Sequence, residues 1–202
     1  SLIVTNAHRI HHGMEPIYNQ EYGDFFFLPG QNPMDTADLV EDLVSRRLPA
    51  HYGFDPMMDI QVLCPMKKGP CGVEALNERL QRSLNPNREE GPELLDRKKI
   101  FRKGDKVMQI HNDYDLEWIS QEGLGQGVYN GDSGIIKEIN EEEGRMIVSF
   151  DGREVTYEGE KLQELDHSYA ITIHKSQGSE FSCVILPLVP GIPILLTRNL
   201  LY

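Results

Sequence analysis

Near residue 100 the spacing of apolar side chains changes, and near residue 169 it changes back. Before the first change, apolar residues recur at helical intervals. Leu2, Ile3, Ala7 and Ile10 do so ahead of Gly13, Ala37, Val40, Leu43, Val44 and Leu48 over residues 36–48, and Val73, Leu76, Leu80 and Leu84 over 73–84. From Ile100 the period is two. Residues 107–110, 134–139, 145–150 and 154–157 are short alternating runs, parted by the turn formers Asn130-Gly131 and Asp151-Gly152, with Glu141 to Gly144 as an exposed hairpin tip. Strands this close, with no helix between them, predict a small all-β barrel. Helix-and-strand character resumes at Tyr169, so the barrel is inserted and not appended. The expected division is an α/β unit over 1–100, the β insert over 101–165, and the α/β unit again over 166–202.

Within the α/β part, residues 59–66 read as a buried strand, followed by the basic, glycine-containing turn Lys67 to Gly72 and then the helix from Val73. In such a unit the loop lies at the carboxyl end of a parallel strand, where ligands sit. Lys67 and Lys68 are there either to meet phosphates or as a solvated turn. Asp24 to Leu28, between Gly23 and Pro29-Gly30, reads as a second buried strand, and Asp35 or Thr36 as the cap of the 36–48 helix. Asn85 to Lys99, with Pro86 and Pro92, reads as a linker, Gly123 to Gly127 as a loop, and Ile194 to Tyr202 as the start of a helix. Most pointed is Tyr169 to Phe181, an apolar run ending at Thr172-Ile173-His174, a polar turn Lys175 to Ser179, and the exit Glu180-Phe181. A second apolar run, Ser182 to Leu188, follows. Strand, polar turn, strand is how a rigid core presents functional groups at its edge.

Composition removes several function classes. A formal net charge of −12 argues against a general electrostatic nucleic-acid binder, and residues 101–165 alone hold 15 acidic against 7 basic side chains. No apolar run approaches the roughly 20 residues that span a bilayer, so no membrane partner is expected. Cys64, Cys71 and Cys183 are scattered and odd in number, as reduced cytosolic thiols are; neither a disulfide nor zinc is expected, and the location is cytoplasmic. His8, His11 and His12 lie at i, i+3 and i+4, but no carboxylate or cysteine joins them, so they read as a solvated helix end and no metal site is expected. There is no phosphate loop of the form GxxxxGK[ST] and no Gly-x-Ser-x-Gly elbow. His174 and Ser176, two apart, point in different directions and form no nucleophilic pair.

The stretch Tyr169-Ala-Ile-Thr-Ile-His-Lys-Ser-Gln-Gly-Ser-Glu-Phe181 resembles motif V of superfamily 1 DNA helicases in its RecD-like, exodeoxyribonuclease V alpha-subunit-like form. Asn6 to Ile10 with Gly13, Gln61 to Gly69 with Gly72, Phe101 to Ile110 with Asn130 to Gly134, and Arg198 to Tyr202 are similar in order to other pieces of that family. Cys64 departs from a family Thr, and Trp118 to Gln126 makes a longer connection. The resemblance implies a RecA-like parallel sheet with helices, carrying an SH3-like barrel insert. It implies an ATP-dependent DNA helicase that moves 5′ to 3′ on single-stranded DNA, serving repair or recombination. ATP and Mg2+ would be bound largely by a first RecA-like domain of the same polypeptide, outside this chain, with recombination-complex subunits as further partners. By the same analogy Gln177, Gly178, Ser179 and Glu180 face the nucleotide, though Ser179 also reads as shaping the turn. Thr172, His174, Lys175, Lys67, Lys68 and Asn130 face the DNA strand. Two other readings remain: the motor of a conjugative relaxase-helicase, and a non-enzymatic module using its barrel to hold a protein.

Overall fold

A computed structural model of the chain describes residues 1–87 and 90–190. The segment Ile194 to Tyr202, and with it Arg198, lies outside the described residues. A three-stranded parallel sheet and a seven-stranded antiparallel sheet each have their own apolar core.

The parallel sheet is small and fully mixed in sequence order. Its strands β1 (Ile60–Cys64), β11 (Ala170–Thr172) and β12 (Cys183–Ile185) lie in the order β11-β1-β12. Cys64 is level with Thr172 and Ile60 with Cys183. Helix α4 (Val73–Leu84) packs Leu76 and Leu80 into this core, both fully buried, with Ala37, Val40 and Val44 from the preceding helix opposite. Asn77 is the polar member of that face. Its amide donates to the Ala170 carbonyl and accepts from the Ala170 N–H, both at 2.9 Å, tying α4 to β11 across 93 residues.

Three local expectations change here. The expected cap at Asp35 or Thr36 is Asn32, whose side chain accepts from the Asp35 N–H at 2.9 Å, with Pro33 in the first helical position. Helix α2 (Pro33–Asp42) then widens into a π turn (Leu43–Arg47) before α3 (Leu48–Tyr52). Pro49 explains the widening: it has no N–H to give the carbonyl four residues back, so the ladder shifts. Asp24 to Leu28 is no strand. Asp24 caps helix α1 (Leu2–His11) through the Leu2 N–H at 2.7 Å and the Ile3 N–H at 3.2 Å, while the Asn19 side chain clamps the Phe27 backbone, leaving Phe26 and Phe27 half exposed.

The expected linker from Asn85 folds as well: β2 (Glu93–Asp96) and β3 (Lys99–Arg102) form a hairpin that puts Leu94 and Phe101 into the second core. Packing of the insert therefore begins ahead of residue 101. The antiparallel sheet comprises β4 (Lys106–Gln109), β5 (Asp113–Ser120), β6 (Gly123–Val128), β7 (Ser133–Asn140), β8 (Arg145–Phe150), β9 (Arg153–Glu158) and β10 (Leu165–His167), in the order β10-β4-β7-β8-β9-β5-β6. The glycine-rich stretch expected as a loop is thus a strand, β6. Gly125 sits opposite Trp118 in β5, and a Cβ there would fall 2.2 Å from the indole, so the ring needs the glycine.

Polar groups join the two cores. Asp105 is wholly buried, and its carboxylate accepts from Asn85, Tyr169 and Gln81 side chains, each at 2.8 Å, from the Arg102 N–H at 2.7 Å and from His167 at 3.1 Å. Lys106, nearly buried, donates to Gln61 Oε1 at 3.0 Å and to the Ile60 carbonyl at 3.3 Å, and burial pushes its ammonium down to about 8. The unfolded chain therefore holds a proton that the folded chain has lost between pH 8 and the ordinary lysine range. Stability should rise with pH across that window, and in Lys106→Met the rise should be absent when urea melts are compared at pH 8 and 10. A rise of equal size in the variant would assign it to another group.

Candidate nucleotide and nucleic-acid site

Parallel pairing of β11 with β1 brings two loops to one edge. Cys64 and Thr172 end their strands side by side, so Lys67 and Lys175 each lie three residues beyond a paired position. After Thr172 the chain makes a 3-10 turn (Ile173–Ser176), held by Ser176 Oγ donating to the Ile173 carbonyl at 2.6 Å. The expected strand residues Ile173 and His174 belong to this turn. Gly178 follows with φ +82, a conformation that L side chains rarely adopt.

The Lys67 loop is folded by its own backbone. Val73 and Glu74 donate to the Met66 and Lys67 carbonyls at 3.1 and 3.2 Å. Gly72 passes so close that a Cβ would lie 2.5 Å from the Lys68 carbonyl oxygen. Burial pulls the Lys175 ammonium below its ordinary value, with the like charge of Lys67 acting in the same direction and Asp166 opposing.

The barrel supplies the third wall. Asn130 sits in a tight turn in which Tyr129 donates to the Asp132 carboxylate at 3.0 Å and Gly131, at φ +100, donates to the Gln109 carbonyl at 2.9 Å. The Asn130 N–H is held by Asn112 Oδ1 at 2.9 Å, and its side-chain oxygen meets Lys175 Nζ at 3.4 Å. An open cleft of about 450 Å³ results, lined by Asn130, Gly131, His174, Lys175, Gln177, Gly178 and Ser179. Beside it stand Tyr129 and Tyr114, largely exposed and edge-to-face at 5.7 Å, a surface on which a base can stack.

Most of the sequence-derived residues thus meet in one place. Thr172 ends β11 half-buried beneath them, and Lys67 and Lys68 are exposed on the adjoining loop. Glu180 lies outside the cleft lining. The connection from β11 must descend to the start of β12, about 13 Å along the strands. At its lower end Cys183 donates to the Asp59 carbonyl at 2.9 Å and Ser182 to the Asp59 carboxylate at 3.4 Å. Tyr114 and Tyr129 were not read as site residues from sequence, and Gly72 and Gly131 were read only as members of turns and of the family resemblance. The Asn130-Gly131 pair is a turn signal that placed Gly131 but not its role.

Known proteins give the arrangement a class. Residues 76–150 match the family model for the SH3 domain of ATP-dependent RecD-like DNA helicases, and residues 167–202 match that of the UvrD-like helicase C-terminal domain. The solved Pif1 helicase from Bacteroides, in complex with ADP-AlF3 and single-stranded DNA, covers 99% of this chain and 46% of its own at a TM-score of 0.54 and 19% identity, a likeness of fold. The chain is a mixed α/β fold with an SH3-like module, and both family models it matches are those of helicases. Within that class it resembles RecD-like ATP-dependent DNA helicases. It is 38% identical over 143 residues to the ATP-dependent RecD2 DNA helicase of Deinococcus radiodurans, which covers 71% of this chain. It is 32% identical over 142 residues to the RecBCD enzyme subunit RecD of Mycolicibacterium smegmatis, which covers 70%. The matches span only 18% and 22% of those relatives. Among the described residues no helix is long and apolar enough to cross a membrane.

Proposed function

We propose that this chain is the second RecA-like part of an ATP-dependent DNA helicase, with residues 1–100 and 166–202 forming the motor unit and 101–165 its insert. The observation that carries this is the cleft itself. Lys175 from the turn after β11, Asn130 from the insert and the uncrowded Gly178 line one cleft at the carboxyl edge of a parallel sheet, with Lys67 exposed on the adjoining loop. Lys175, Lys67 and Asn130 are suited to hold the phosphates of a single strand, and Tyr129 and Tyr114 to stack a base. These few placed contacts reconcile DNA binding with the acidic composition, because a translocating motor must release its strand at each step.

The same cleft offers a nucleotide Gln177, Ser179 and the Gly178 N–H, but no phosphate loop and no carboxylate in its lining. Its residues therefore fit the edge of ATP and not Mg2+, and the phosphates and metal fall to a first motor domain. A cytoplasmic setting and association with recombination subunits go with this reading, as does repair or recombination of DNA.

The test uses the full-length polypeptide. Lys175→Ala should weaken binding to an oligothymidylate and lower the slope of log affinity against log salt by about 0.7, as loss of one single-strand phosphate contact requires. It should also reduce DNA-stimulated ATP hydrolysis. An unchanged affinity and slope would remove Lys175 from the DNA path. Robust ATP hydrolysis by residues 1–202 alone would defeat the reading as a whole.

A further inference from the structure

The edge strand of the insert, outside the cleft lining, is built differently. Strand β6 ends the antiparallel sheet, pairing with β5 and with no other strand among the described residues. Its outer backbone groups are therefore open to another chain. Two usual protections are missing: β6 reads Gly123-Leu-Gly-Gln-Gly-Val128, with neither a charge nor a proline. Leu124 is 81% exposed and its cross-strand neighbour Ile119 is 61% exposed, so two large apolar side chains stand together on the surface beside the free edge.

A hollow of about 690 Å³ runs across this face over β5, β6 and β9. Its polar lining is strongly acidic. Among the described residues Asp115, Glu117 and Glu158 form no ion pair, while Glu154 is paired with Lys137 at 2.8 Å. Lys161 is the one cation in the lining, and it is engaged by Asp113 and Glu164. This charge repels a phosphate backbone, which separates the face from the cleft at Asn130. It equally disfavours a second copy of the same face, since acid would meet acid.

We propose that this face is a docking site for an extended basic segment of a protein partner, which adds a strand beside β6. Alternate residues of such a strand point to one side. On the face shared by Glu117, Ile119 and Leu124, the aliphatic stems of lysines or arginines cover the two apolar side chains while their charged ends meet Glu117 and Asp115, with Glu158 adding to the acidic field, and the intervening apolar residues lie on the other face beside Gly125 and Trp118. The backbone edge gives binding strength without sequence demands, and the acidic rim selects for charge.

Trp118 makes the idea directly measurable. It is the only tryptophan in the chain, it lines the hollow, and its indole rests on Gly125 of the edge strand. The 202-residue chain is titrated with a capped octapeptide of alternating lysine and valine, following Trp118 emission. Matched titrations use the same peptide with glutamate for lysine, and an oligothymidylate. A saturable change with the basic peptide alone is expected, weakened about tenfold in Glu117→Lys/Glu158→Lys and also in Leu124→Ser. Thermal melts of both variants should match the parent. Absence of a saturable change, or an equal response to the acidic peptide, would overturn the proposal. So would saturation by the oligothymidylate, which would make the face a nucleic-acid surface. Dimerisation of the chain that Leu124→Ser abolishes would also overturn it, by giving the edge to a second copy.

Discussion

Asp105→Ala should destabilise the chain by about 3–5 kcal/mol, the range for breaking one partner out of a buried charged network. The side chain is fully buried and accepts five hydrogen bonds, three of them from side chains of the α/β unit or its border, Gln81, Asn85 and Tyr169. Removing it leaves the Tyr169 hydroxyl and the Arg102 N–H without this acceptor, and leaves Gln81 and Asn85 with only the Ile100 and Lys103 carbonyls to donate to. Burial pushes the Asp105 carboxyl up, but the hydrogen bond and charge of His167, with Asn85 and Tyr169, more than reverse this and hold it below the ordinary value. A carboxyl lowered in the folded state contributes stability above its unfolded value of about 4, and loses it as pH falls through the folded value. Urea melts at pH 7 should therefore show the deficit in full, and acid titration should show a steeper loss in the parent than in the variant. A deficit below about 1 kcal/mol would mean that the network is held by its other members.

Gly72→Val should lower stability by about 1–3 kcal/mol, as overpacking does, and should also loosen whatever the Lys67 loop binds. The cause is backbone against Cβ: the nearest atoms are the Lys68 carbonyl group and the Lys67 carbonyl carbon, at 2.5 to 2.7 Å, and none can rotate away. Relief comes from moving the loop, which carries Lys67 away from Lys175. Circular dichroism melts report the first effect, and in the full-length polypeptide oligothymidylate binding reports the second. If stability falls while DNA affinity holds, the Lys67 loop is scaffold only.

What sequence made legible follows the reach of each signal. The helix Val73–Leu84 was read to the residue because four apolar side chains at helical spacing begin after a glycine. The β8 strand was equally plain from its alternation. Asp24 to Leu28 misled because three consecutive aromatics satisfy the rule for a buried strand, yet Asn19 holds Phe27 in a loop through contacts eight residues long. Strand β6 was hidden because glycine carries no period, and its partner Trp118 reveals the pairing only in three dimensions. At the cleft, the residue types of Tyr169 to Phe181 pointed to a polar edge, whereas the approach of Asn130 to Lys175 spans 45 residues and has no local trace. The Asp105 network lies further out of reach, since each of its bonds to α4 and β11 depends on how two cores dock.

The strands by which the chain enters and leaves the insert have a consequence for its history. Strands β4 and β10 are antiparallel neighbours, with His167 level with Val107 and Ser168 donating to the Lys106 carbonyl at 2.9 Å. Seen from the parallel sheet, sixty residues of β structure are anchored at two points about 5 Å apart. Closing so narrow a gap depends only weakly on how much chain lies between, because closure entropy grows as the logarithm of length. The insert can therefore be lengthened, trimmed or exchanged with little disturbance to the sheet beneath it, provided Asp105 and Lys106 stay at its root.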